Sequence, residues 1–285
     1  MGGGDRRTAR RVGLISLLVA GLAGLGIAVH LLTRPADSLP PSGSTAYRDT
    51  VRLFYRGLAS LEVGLLVEAT AQFDRAAELA ADEPAIPANL VVTHLRLGDD
   101  ETAAAYLATA SGLAPQNADI ALLAGLLERF GGRFEAAAAQ FRRAVELDTD
   151  NLHARFALAR ELAQLETEAD HLEAQQLLEA ILERQPDNLA VLLERALVAA
   201  ARTDGASLLD TVGRLEAASD GLSQAALAQL DTLSQATEDG AFPQAETAAA
   251  LIRNVLVRLG AFQDSLAAVT VDAELVAEPF DRFLR

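Results

Sequence analysis

The stretch 118–151, ADIALLAGLLERFGGRFEAAAAQFRRAVELDTDN, decides the fold. Two short amphipathic runs with helical spacing flank Gly132, where a first helix must end in a left-handed residue. The same 34-residue pattern occurs in blocks 50–83 and 84–117, and a fourth block, 152–188, carries three extra residues in its middle. Position 15 is Gly64, Gly98 and Gly132 in the first three blocks. Position 20 is Ala69, Ala103, Ala137 and Ala174, and position 27 is Ala76, Ala110, Ala144 and Ile181. Position 24 is bulky throughout: Phe73, Leu107, Phe141 and Leu178. Position 8 is small in three blocks (Gly57, Gly125, Ala159), with Val91 as the exception. Small residues at 8, 20 and 27 let two helices approach closely, and the residue at 24 plugs the gap. Pro115 and Pro186 at position 32 end the second helix.

These residues and their period resemble the tetratricopeptide repeat (TPR) family. The likeness covers 50–188 and extends more weakly over 189–220, through Ala196 and a shortened second helix near Ser207–Ala218. It implies an all-α solenoid of helix-turn-helix repeats over 47–220, with capping helices and a tail over 221–285. Leu53, Pro87, Ala121 and Arg155 stand where the family often has tryptophan, so a thin alanine-leucine core is expected. After Gly221 the pattern changes to a helix with Leu222, Ala226, Leu230 and Leu233 on one face. Another follows Pro243, with Leu251, Ile252, Val255, Leu256 and Leu259 as its apolar stripe.

The resemblance further implies a partner groove on the inner face of the first helices. Its lining would be Phe54, Leu58 and Leu61, then Ala88, Val92 and Leu95, then Leu122, Leu126 and Phe130, and last His153, Phe156 and Arg160. So apolar a groove fits a protein or peptide partner that presents an amphipathic helix. The family's carboxylate-gripping subclass has Lys and Arg where this chain has Phe54 and Leu58, and only Asn89 fits that pattern. The alternative occupant is the chain's own 243–259 helix.

Composition narrows the chemistry. There are 24 basic residues, all arginine, against 40 acidic ones, and no cysteine. Thiolate metal sites and cysteine nucleophiles are excluded, and a net charge of −16 argues against a nucleic-acid partner. His30, His94, His153 and His171 have no ligand spacing, and Asp148–Asn151 lacks the glycine and glutamate of a calcium loop. That run, and Asp99-Asp100-Glu101, read as turns and helix caps. No catalytic, cofactor or metal residues are expected, and the chain reads as a non-enzyme.

The amino terminus suggests a membrane span. Residues 1–11 hold four arginines, and 12–32 is free of Asp, Glu and Arg. Twenty-one helical residues reach roughly 31 Å, about the thickness of a hydrocarbon core. The charge bias would leave residue 1 in the cytoplasm and the array outside, in the periplasm of an inner-membrane protein. Cleavage near Gly26–Ala28 would leave an apolar stub. Ser16, Ala20, Gly24 and Ala28 form a small-residue row through which a homodimer could pack. Residues 33–46, rich in Pro, Ser and Gly, read as a tether.

Two functions follow: a membrane-tethered scaffold that recruits a protein through its groove, or the front module of a larger exported or two-component system. The second rests on a short likeness of Arg253–Arg285 to repeat regions that precede FG-GAP and ASPIC/UnbV propellers.

Overall fold

Helix pairing follows from the small-to-bulky contacts that the repeat sets up. The computed structural model describes residues 39–165, 167–256 and 259–269. Among the described residues there are thirteen helices and no strand. In chain order they are α1 (Thr45–Glu62), α2 (Leu66–Leu79), α3 (Ala85–Leu97), α4 (Asp100–Leu113), α5 (Ala118–Phe130), α6 (Phe134–Leu147), α7 (Leu152–Leu162), α8 (Glu168–Leu182), α9 (Leu189–Ala201), α10 (Gly205–Ala217), α11 (Gln224–Glu238), α12 (Phe242–Leu256) and α13 (Gly260–Ala267). Each helix from α1 to α11 packs on the next one, and α1, α3, α5 and α7 also touch in series. Stability in such a stack is set by neighbours.

The contact that closes each hairpin is tight. A Cβ on Gly57 would lie 2.6 Å from the Phe73 ring, and one on Gly125 would lie 2.4 Å from the Phe141 ring. Both rings are fully buried. Where the ring gives way to Leu107 or Leu178, the opposing residue grows to Val91 or Ala159. A smaller residue at position 24 thus goes with a larger one at position 8, and Val91 is itself fully buried.

Turns and caps repeat as well. Gly64, Gly98 and Gly132 have φ of 79°, 73° and 72°. In the fifth hairpin the corresponding residue is Thr203, at φ 53°, the one non-glycine residue with positive φ among the described residues. Asn117, Asn151 and Asn188 each accept a backbone N–H in the first turn of α5, α7 and α9. Asp148 accepts from the Asp150 amide, so the Asp148–Asn151 run caps and turns as its residue types require. Arginines tie successive hairpins together. Arg143 donates to the Pro115 carbonyl at 2.8 Å, and Arg214 to the Pro186 carbonyl at 3.1 Å. Arg142 holds Glu173 through two donors, at 3.1 and 2.7 Å.

The carboxy-terminal end departs from the stack. Helix α12 folds back on α9 while α11 packs on α10, so α9 to α12 close a ring of four helices. Helix α13 lies on α9 too, and Asn188 donates to the Ser265 carbonyl at 2.8 Å. This explains why α9 is apolar nearly all round: α8, α10, α12 and α13 surround it. The buried stripe of α12 is Ala245, Ala248, Ala249, Ile252 and Leu256. Leu251 and Val255, expected in that stripe, are exposed, because alanines allow the closer approach to α9 and α11.

One expectation is corrected. Among the described residues no helix is long and apolar enough to cross a membrane. The span expected at 12–32, its small-residue homodimer row, the basic segment 1–11 and residues 33–38 of the tether lie outside the described residues, while 45–46 already belong to α1. The assignment to an inner membrane with a periplasmic array is therefore withdrawn.

Two stability outcomes are expected from calorimetry or urea unfolding. Gly125→Ala should destabilise by about 1–3 kcal/mol, and Phe141→Leu in the same chain should recover about 1 kcal/mol of that loss. Thr203→Gly should stabilise by up to about 1 kcal/mol, whereas Gly98→Ala, whose Cβ would meet nothing within 4 Å, should lose about 1–2 kcal/mol from backbone strain alone.

Candidate partner-binding surface

The odd-numbered helices from α1 to α7 supply all twelve residues of the expected groove. Seven are buried: Phe54, Leu61, Val92, Leu95, Leu122, Leu126 and Phe156. They belong to the contiguous apolar core, because helix-to-helix packing along the stack uses the same positions. Leu58, Ala88 and His153 are half-buried, Arg160 keeps 42% of its side-chain surface, and Phe130 is 55% exposed. The accessible part of the inner face is thus a partly polar strip rather than an apolar trough twelve residues long. Asn89 is fully buried and donates to the Ala85 carbonyl at 2.7 Å, so it spends its amide within its own helix.

Charges gather about this strip, and of them the sequence reading named Arg160 and not Glu194, Arg253, Arg129 or Glu161. Arg160 stacks 5.8 Å from the Phe156 ring centre and lies 3.7 Å from Glu194. Glu194 also accepts from Arg253 at 3.1 Å, so one carboxylate on α9 joins α7 to α12. The chain therefore covers α9 with its own α12, while the accessible expected residues lie on α1, α3, α5 and α7. Burial holds the Arg129 guanidinium below its usual range, with Arg160's charge adding to that and Glu161's opposing it. Glu161 is 2% exposed, and its Oε1 is buried without a hydrogen-bond partner. Burial pushes its carboxyl up, against the pull of Arg129 and Arg160. His153 is held below its usual range by burial, with Asp119 pulling the other way.

The described residues contain no group of three or more His, Asp or Glu that could hold a metal ion. A shallow cleft of about 500 Å³ lies on the first hairpin, lined by Arg56, Ala59, Ser60, Val63, Glu68 and Gln72. Sequence reading missed it, since the repeat positions used for the groove do not include its lining residues.

No protein-family model matches the chain, and no curated protein matches it. Solved structures do. PilF of Pseudomonas aeruginosa superposes with a TM-score of 0.58 at 16% identity, over 79% of this chain and 100% of that one. PilW, a widely conserved type IV pilus biogenesis factor, gives 0.55 at 16%, over 76% and 98%. Yeast Tom70 gives 0.55 at 16%, over 74% of this chain and 46% of that one. At such identities the likeness establishes the fold, an all-helical tetratricopeptide-repeat solenoid. The likeness of Arg253–Arg285 to propeller-linked proteins is not shown, and most of that stretch lies outside the described residues.

Two titrations should move stability in opposite directions. The unfolded chain protonates His153 first, so stability should fall as pH drops through about 6.5, and His153→Gln should flatten that slope. Glu161 binds its proton more tightly when folded, which costs stability above its unfolded value. Glu161→Gln should then stabilise by on the order of 1 kcal/mol at pH 7, and the gain should vanish as pH falls through the folded value.

Proposed function

We propose that the chain is a protein-interaction scaffold whose inner face, along α1 to α7, holds a segment of a partner protein. The observation that carries this reading is the repeat solenoid itself, in which, among the described residues, the chain's own carboxy-terminal helices pack on α9 and not on α1, α3, α5 or α7. Leu58 and Ala88 offer apolar contact, and His153 and Arg160 lie further along the same strip. A partner helix with one apolar stripe and an acidic residue toward Arg160 matches that sequence of surfaces. Catalysis is not part of this proposal.

The test is cross-linking of the full chain in its native cells, followed by recovery of the linked protein. Leu58→Asp combined with Arg160→Glu should lower recovery roughly tenfold, because a charge enters an apolar contact and an ion pair reverses. Both side chains keep solvent contact, so circular dichroism should stay near that of the parent, with melting lowered by no more than the roughly 1 kcal/mol that loss of the Arg160–Glu194 contact costs. Unchanged recovery with an intact fold would remove the inner face as the site.

A further inference from the structure

The cleft on the first hairpin lies on the side of α1 away from the inner face. At about 100° per residue, Phe54, Leu58 and Leu61 fall on one side of the helix, and Arg56, Ala59, Ser60 and Val63 on the opposite one. At the same repeat positions as Arg56 and Ala59, Leu90 and Thr93 are 1% and 0% exposed, on a helix that packs against α2 of the preceding hairpin. Among the described residues no helix packs in that way on α1, and Arg56 and Ala59 are exposed. The second wall of the cleft is α2, which contributes Glu68 and Gln72 one turn apart.

The polar groups of the cleft define what fits it. Gln72 is 8% exposed, and its Nε2 donates to the Glu68 carboxylate at 2.6 Å. That bond fixes the carboxylate on the wall, while the Gln72 Oε1 is buried without a hydrogen-bond partner. Buried acceptors are nearly always satisfied, so one left over beside a cleft points to an N–H donor from outside. Arg56 forms no ion pair or hydrogen bond among the described residues, with Glu68 or with any other group. Ala59 and Val63 add apolar wall. Gly57 seats against Phe73 and so sets the register of the hairpin, which puts the backbones of Arg56 and Glu68 roughly 9 Å apart along the helix axes. A cation at one end and a carboxylate at the other complement a molecule that carries both charges itself. A single amino acid is too short to reach both, but an extended peptide covers about 3.3–3.6 Å per residue. We infer that the cleft binds a free peptide of two or three residues, its carboxylate on Arg56 and its ammonium on Glu68 and the Gln72 Oε1. A guanidinium grips a carboxylate through two donors, and an ammonium brings three donors to the other end. A volume of about 500 Å³ is ample for so small a ligand. This site goes beyond the scaffold reading, and either can fail without the other.

The probe is trialanine with free termini, titrated into the full chain by calorimetry beside its N-acetylated and C-amidated forms. The free peptide should bind saturably, and more weakly as salt rises. Each blocked form should bind at least roughly tenfold more weakly, because it loses one charged contact. Arg56→Gln should weaken the free peptide by a similar factor and remove the difference between the free and amidated forms. Glu68→Gln should likewise remove the difference between the free and acetylated forms. Both side chains are exposed, so circular dichroism of these variants should match the parent. Leu58→Asp, on the opposite side of α1, should leave binding unchanged. In amide spectra by nuclear magnetic resonance the peptide should shift residues of α1 and α2 between 56 and 72. Absence of saturable binding, equal binding of the blocked peptides, or shifts centred outside the first hairpin would overturn the assignment.

Discussion

The fit between a small residue on the first helix of a hairpin and a bulky one on the second governs everything that follows in this chain. Gly57 under Phe73 and Gly125 under Phe141 leave no room for even one methyl group. That closeness sets how far apart the two helices stand, and so how the next hairpin can stack. Volume is traded across the pair, with Val91 opposite Leu107 and Ala159 opposite Leu178. The buried phenylalanines also correct the expected thin alanine-leucine core: Phe54, Phe73, Phe141 and Phe156 are among its largest fully buried members.

Because hairpins mainly meet their neighbours, the two ends of the array have different needs. At the carboxy-terminal end, α12 and α13 close over α9, and the Arg160–Glu194–Arg253 bridge ties that closure to α7. At the amino-terminal end the first hairpin keeps an open cleft and three strongly exposed apolar residues. The closed carboxy-terminal end stabilises the array.

Much of this architecture was legible as periodicity. The 34-residue spacing, the left-handed glycines and the asparagine caps act locally, so their residue types reveal them. The depth of each groove position was not legible. A repeat position says which helix face a residue is on, but neighbouring helices decide how much of it is covered. Thus Phe54 and Leu122 became core, while Phe130 emerged at the turn edge. Nor could the apolar pattern of α12 distinguish Leu251 from Ala248 as the buried partner, since only the close approach of α9 and α11 favours alanine. Thr203 in a left-handed turn breaks the glycine rule, and no feature of its neighbourhood in sequence announces it.

Native-state hydrogen exchange along the full chain tests most directly whether neighbour packing with one closed end holds this molecule together. Amides of α9, enclosed by four helices, should exchange slowest, with protection falling hairpin by hairpin toward α1 and α2. Uniform protection across all the hairpins, or α9 exchanging as fast as the first one, would contradict the account.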